Sequence, residues 1–432
     1  MSTLVGRDAR RARIAVSVLF LVNGALIANV LPRLPAIKAQ LELTNAALGT
    51  AIAAMPVGGL LAGSVAGLLI VRFSSRRVTV GTGMAFGLLL GFIGVAPSWI
   101  ALAATFLVLG MADSVMDAAM NAHGIAVQRS YGRSILHGFH GWWSAGTLLG
   151  AATGAIAAAL GVPLVVHLES VGILLAVVSL AAARLLLREP GVDAAEPVHA
   201  GGRAPDDGPA AGAALRAGRL LRLLAPFALI GILVVMLEDA AATWSTIYLT
   251  EVLGAAVGIA AFAVVLFTAG MTVGRLTNDR WIDRGGDATV ARTGALVASL
   301  GLVLVIAVGA LAAGAPAAGT LAAIPLAALG FGLVGLGTTP LFPVMISAAG
   351  TVPGVPAGQG VAVVVWLARG GFVIAPTLVG LAADAVGLSA ALIIPLVAGL
   401  TVALLMGTLL ASSGRRTRPA SRDAVLDAGG RS

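Results

Sequence analysis

The sequence predicts an all-α membrane protein of twelve transmembrane helices, arranged as two six-helix pseudo-symmetric bundles. Three observations carry that expectation. Of the 432 residues, 59% are hydrophobic and 11% charged, where a soluble chain is about a quarter charged. Apolar runs of about 18 residues or more, each able to cross about 30 Å of hydrocarbon, recur along almost the whole length. One stretch, 188–220, is instead rich in Pro, Gly, Ala and charge and reads as a flexible linker that divides the spans six and six.

In order, the spans are expected at 14–31, 45–71, 78–96, 99–127, 135–160 and 163–187, then 221–249, 254–277, 289–313, 318–347, 356–383 and 388–411. The halves are therefore 1–187 and 221–411, with a cytoplasmic linker at 188–220 and a cytoplasmic tail at 412–432. The first run follows Arg7, Arg10, Arg11 and Arg13 as a signal peptide would. No small-residue cleavage site follows it, so it is expected to stay as helix 1.

Orientation follows from the basic residues. With the N-terminus inside, 24 of the 27 Lys and Arg fall in inside segments or at the inner ends of the spans beside them, and the outside loops hold Arg33 and Lys38. That bias places both termini in the cytoplasm and the 33–44 loop outside, in a cell (inner) membrane. The net charge of +8 thus reports topology, and no nucleic acid is expected. The chain has no cysteine, which excludes disulfides, thiolate metal sites and cysteine nucleophiles.

Span 4 holds the most informative stretch. Asp113, Asp117 and Asn121 are spaced i, i+4, i+8 and share one helix face. A carboxylate at membrane depth costs several kcal/mol unless it faces a cavity, finds a partner or binds a proton. A structural carboxylate held by Asn121 or an arginine is the plain alternative to a proton-coupling one. In span 7, Glu238 and Asp239 precede Thr243, Trp244, Ser245 and Tyr248. Arg369 lies in the core of span 11 and is expected to pair with Glu238, or else to meet an anionic substrate.

Span 5 opens with His137, Gly138, Phe139, His140, Gly141, Trp142 and Trp143. The two histidines share a face, but no third and fourth ligand accompany them, so no metal is expected. His140 is a candidate for substrate binding or proton relay, against a plain hydrogen bond to a backbone carbonyl. One of the two tryptophans is expected on a cavity wall. Gly146, Gly150 and Gly154 form a small-residue packing ridge. Asn23 and Asn29 in span 1 either bind substrate hydroxyls or bond across helices, and His167 and Glu169 belong to the outer rim.

A faint repeat links the halves: Gly110, Asp117 and Asn121 in span 4 keep the separations of Gly332, Thr339 and Pro343 in span 10. With six spans, a linker and six more, the chain resembles the major facilitator superfamily over nearly its whole length. Its glycine-and-charge signature between spans 2 and 3, GLLIVRFSSRRV, keeps Gly67, Arg72, Arg76 and Arg77 but has Val71 in place of the usual aspartate. The second copy, GRLTNDRWIDRGG, keeps Gly274, Arg275, Asp279, Arg280, Asp283 and Arg284. MDAAMNAHG and ILHGFHGWWSAGTLLGAATG are similar to the branch related to fucose permease. The resemblance implies Asp117 as the proton-coupling acid, with Asp113 and Glu238 behind it. Substrate contacts are expected from Asn23, Asn121, His140, Trp143, Trp244 and Arg369, and a conformational gate is expected at Arg275, Asp279 and Arg280 in the second copy of the signature.

The expected function is secondary active transport of a small polar solute, such as a sugar, by alternating access with proton coupling. The alternative is a proton-coupled exporter of drugs or amphipathic metabolites. The partners are the small-molecule substrate, protons and the lipid bilayer, and the chain is expected to be a monomer. No cofactor is implied. An enzyme is not expected, because the sequence holds no GxxxxGK[ST], HExxH or GxSxG pattern.

Overall fold

The computed structural model describes residues 6–187, 210–313 and 317–414, with the side chains of 210–217, 317–321, 357 and 408–414 outside that description. The regular elements among these residues are helical. They are α1 (Arg7–Ala28), a 3-10 turn (Leu31–Arg33), α2 (Leu34–Gln40), α3 (Asn45–Phe73), α4 (Ser75–Val95), α5 (Trp99–Tyr131), α6 (Leu136–Ala159) and α7 (Leu164–Ala182). After the undescribed 188–209 come α8 (Ala210–Glu251), α9 (Val257–Ala260), α10 (Phe262–Gly285), α11 (Asp287–Ala312) and α12 (Ala317–Thr338). The last are α13 (Leu341–Ala349), α14 (Ala357–Ala368), α15 (Gly370–Val386), α16 (Leu388–Ala391) and α17 (Ile393–Gly414).

Among the described residues, eleven segments are long and apolar enough to cross a membrane. The 24-residue α6 is not among them, because its histidines, tryptophans and glycines dilute its hydropathy. Two boundaries differ from expectation. Helix α8 starts at Ala210, inside the stretch read as linker, since AALRAGRLLRLL consists mostly of strong helix formers. The loop at 33–44 is partly helical, with Pro32 and Pro35 each in a first turn, where a missing N–H costs nothing. The rest of the linker lies outside the described residues.

Two spans are interrupted near their middle, one of them at a proline. Pro340 has no N–H to continue the ladder, so α12 stops and α13 begins one step later. Helix α14 gives way to α15 at Arg369, three residues after Trp366.

Helices of the first part pack on one another: α1 on α6, α3 on α5, and α4 on both α5 and α7. In the second part α8 packs on α14, α15 and α17, while α12 packs on α10 and α11. Contacts of α3 with α15 and of α6 with α10 join the two parts.

Two crossings are built alike. A Cβ on Gly58 of α3 would strike the Leu107 carbonyl, and one on Gly110 of α5 would strike the Met55 carbonyl. In the second part, Gly270 of α10 meets the Gly332 carbonyl, and Gly335 of α12 meets the Phe267 carbonyl. Each glycine lies three residues after the carbonyl that its partner approaches, in both crossings. This puts Gly335, not Gly332, at the place of Gly110, so the repeat expected at Gly332, Thr339 and Pro343 is out of register by three residues.

The turns after α3 and α10 also match. Ser74 has φ 71° and ψ 148°, and Gly286 has φ 75° and ψ 158°. Gly58 to Gly270 and Ser74 to Gly286 are both separations of 212 residues. In that register Asp283 and Arg284, rather than Asp279 and Arg280, stand opposite Val71 and Arg72.

At one end of the molecule, which carries α2 and is termed here the α2 end, polar contacts tie the parts together. Lys38 pairs with Glu251 and also donates to Asn45 Oδ1 at 2.6 Å. The Asp384 carboxylate accepts from the Asn45 and Ala46 amides, both at 2.9 Å.

Candidate transport site

The acids of α5 meet residues from far along the chain. Asn23 of α1 donates Nδ2–H to Asp113 Oδ1 at 2.8 Å, and its Oδ1 accepts Nε1–H of Trp143 at 2.9 Å. Both polar ends of the Asn23 amide are therefore occupied. Asn121 donates Nδ2–H back to Asp117, to Oδ1 at 3.0 Å and to the backbone carbonyl at 2.9 Å. As the spacing predicted, Asp113, Asp117 and Asn121 lie on one side of α5, and all three are half-buried.

Trp143 leads across to the second part. The Arg275 guanidinium of α10 sits 5.1 Å from the Trp143 ring centroid and donates from Nη1 to Ser144 Oγ at 2.9 Å. Glu238 of α8 acts on Arg275 through space. The result is a chain of contacts, Asp113–Asn23–Trp143–Arg275, that starts on α5 and ends facing Glu238. Chemically it holds carboxyl groups that can take up protons, beside cations and an aromatic wall.

Arg369 is exposed, and its charge acts on Asp113 and Asp117 across the boundary between the two parts. The expected pair with Glu238 does not form: among the described residues Arg369 makes no ion pair with Glu238 or Asp239. Arg275 is the cation on the Glu238 side instead. Helical depth was readable from the sequence, but the direction in which each side chain points around the bundle was not.

His140 is exposed, lies edge-on to Phe20 with centroids 5.3 Å apart, and is within electrostatic reach of Asp117. Trp142, at 50% exposure, faces outward, so Trp143 is the inner member of the pair.

Residues 16–351 match the family model of the Major Facilitator Superfamily. The chain belongs to that superfamily. It is 28% identical to an uncharacterised MFS-type transporter of Yersinia pestis, over 97% of this chain and 100% of the relative. The structure of the nucleoside transporter NupG superposes with a TM-score of 0.70 at 13% identity, covering 94% of this chain and 99% of that one. That of a D-xylose–proton symporter gives 0.67 at 14% identity, over 93% and 97%. This MFS protein is thus a multi-pass membrane transporter for a small molecule, and not an enzyme.

Other expected site residues of this MFS transporter fall elsewhere. Trp244 is fully buried with Nε1 unpartnered, so it is packed core and not a cavity wall; a large aromatic on the inner face of α8 is taken up by packing. Asp239 has an unpartnered Oδ2, and the side-chain oxygens of Ser245 and Thr246 nearby are likewise buried without partners. Asn29 bonds across helices, accepting from Thr153 at 2.8 Å and lying 3.2 Å from His167 Nε2. That turns His167 inward, while Glu169 is exposed as a rim residue should be. The gate residues separate: all three are exposed, but Arg275 alone bonds Ser144 and lies over Trp143. Gly146, Gly150 and Gly154 pack on the carbonyls of Leu21, Ala25 and Asn29, a true packing ridge.

The site contains residues that sequence reasoning passed over. Ser144 carries no motif. Arg275 was read as part of a charge signature at the membrane edge, and only its depth within α10 pointed elsewhere.

Proposed function

We propose that the protein is a proton-coupled secondary transporter of a small polar solute, working by alternating access through a site between its two parts. The observation that carries this reading is the Asp113–Asn23–Trp143–Arg275 chain, which sets the acids of α5 against the cations of the second part. Asp117 is the coupling acid in this reading: it is bound by a neutral amide alone and lies in the field of His140 and Arg369. Similarity in fold to a D-xylose–proton symporter supports secondary transport. The MDAAMNAHG stretch supports the branch related to fucose permease. We further read α6 as a twelfth span, the two parts as duplicated six-helix bundles, both termini as cytoplasmic, and the working unit as a monomer. The matched glycine crossings and turns support the duplication.

The test is reconstitution. A solute found by thermal-shift screening of sugars, sugar acids, nucleosides and amino acids is supplied to proteoliposomes with an imposed pH gradient. Uphill accumulation that a protonophore abolishes is expected. Asp117→Asn holds the group neutral at nearly constant shape, so exchange at equal pH survives while accumulation is lost. Accumulation by Asp117→Asn moves the coupling acid to Glu238. Loss of exchange as well makes Asp117 a binding or structural residue.

A further inference from the structure

Arg369 stands where α14 ends and α15 begins, midway along the spanning segment Gly358–Val386. Its backbone is satisfied, donating to Val365 and accepting from Phe372. Its side chain is exposed and, among the described residues, has neither an ion pair nor a hydrogen bond. It does not face lipid alone, because its charge reaches Asp113 and Asp117 on α5. A gap between opposite charges therefore lies in the path between α15 and α5.

Most polar groups around this gap are committed to one another. Asn23 is used at both ends, by Asp113 and Trp143. The Asn121 amide nitrogen is spent on Asp117, and the Trp143 N–H is spent on Asn23. Arg275 is stacked on Trp143 and bonded to Ser144. Of the neutral groups that would read sugar hydroxyls, the Asn23 amide, the Asn121 amide nitrogen and the Trp143 N–H are thus occupied by their own neighbours, which leaves the Asn121 amide oxygen and the His140 ring. The Arg369 fork remains, with five N–H donors arranged to take two oxygens of one planar anion. An unpaired guanidinium at membrane depth is costly, and such a group marks a ligand path.

We propose that Arg369 anchors a carboxylate on the transported solute. The proposal rests on the transport reading above and narrows its solute to a small monocarboxylate. A single negative charge suits the site, because a dianionic phosphate would be opposed by Asp113 and Asp117 on the facing helix. The solute's other end lies toward those acids.

The test uses the purified full-length protein at fixed pH. Thermal unfolding is followed against D-glucuronate, D-gluconate, L-lactate and pyruvate, with D-glucose and glucose 6-phosphate as probes lacking a carboxylate. At least one monocarboxylate is expected to raise the melting temperature saturably. Arg369→Gln should weaken that ligand about tenfold or more, and Arg369→Lys, which keeps the charge but not the fork, should weaken it less. If Arg369→Gln does not melt cooperatively, the weakening by Arg369→Lys is the deciding measurement. Silence from all four monocarboxylates overturns the proposal, as does equal binding to the wild type and Arg369→Gln. Stabilisation by glucose alone leaves transport standing and removes the anchor, and by glucose 6-phosphate alone it replaces the carboxylate class. A monocarboxylate that binds through Arg369 but is not exchanged across proteoliposomes keeps the anchor and removes the transport reading.

Discussion

Trp143 makes two interactions that can be removed one at a time. Its indole N–H bonds Asn23, and its ring lies under Arg275. Trp143→Phe keeps a ring and loses the N–H, which should cost about 1 kcal/mol. Trp143→Leu loses the ring as well, adding about 0.5–2 kcal/mol according to how dry the site is. Thermal melts of the two variants check the order; equal losses would show that the ring contributes nothing. Ser74 offers the opposite case. Its φ of 71° and ψ of 148° fall where glycine is the usual occupant, at a strain of about 1–3 kcal/mol. Ser74→Gly should therefore stabilise the protein by about 1 kcal/mol after glycine's extra chain entropy, read as a higher melting temperature. Residues were legible from sequence in proportion to how local their contacts are. The Asp113–Asp117–Asn121 face follows from helical pitch. Asn23 lies 90 residues from its partner Asp113, and no period along the chain announces that bond.

Helix α3 is capped twice, and the second cap comes from a distant element. Thr44 accepts from Ala47 N–H at 3.1 Å in the ordinary way. Asp384, near the end of α15, takes the Asn45 and Ala46 N–H groups as well. A helix N-terminus favours a negative charge, and a lost cap costs about 0.5–2 kcal/mol. Because this cap bridges the two parts, Asp384→Ala should loosen the α2 end more than it destabilises either part. A cysteine introduced beside Asn45 should then react faster with a polar thiol reagent than in the parent, and an unchanged rate would sink the idea. The exposed Lys38–Glu251 pair is worth less, since such pairs contribute about 0–1 kcal/mol. Most helices were visible in the sequence because long apolar runs have few alternatives in a bilayer. The extension of α8 to Ala210 was missed because Pro, Gly and charge just before it colour the whole stretch. The break at Arg369 was missed because no proline or positive-φ glycine marks it.

For the whole molecule, the arginine bias and the α2-end contacts give one topology that can be checked directly. The native chain has no cysteine, so single cysteines report without background. Positions in 188–209 should label from the cytoplasmic side and positions near Glu42 from the outside; the reverse pattern would overturn the orientation. Eleven membrane-length apolar helices among the described residues were legible as apolar runs, whereas the register of the repeat was not. The separations that Gly110, Asp117 and Asn121 share with Gly332, Thr339 and Pro343 are easily matched by chance, and backbone crossings fix the correspondence only once the helices are in place. Those crossings have a mechanical consequence. Where Gly58 and Gly110, or Gly270 and Gly335, let two helix backbones touch, neither helix can roll about its own axis without driving carbonyl oxygen into Cα. Each pair is therefore a stiff double strut. Whatever displacement carries the solute across must be taken up where the struts meet other helices, at α3 against α15 and α6 against α10, so the moving seam runs through Arg275 and its neighbours.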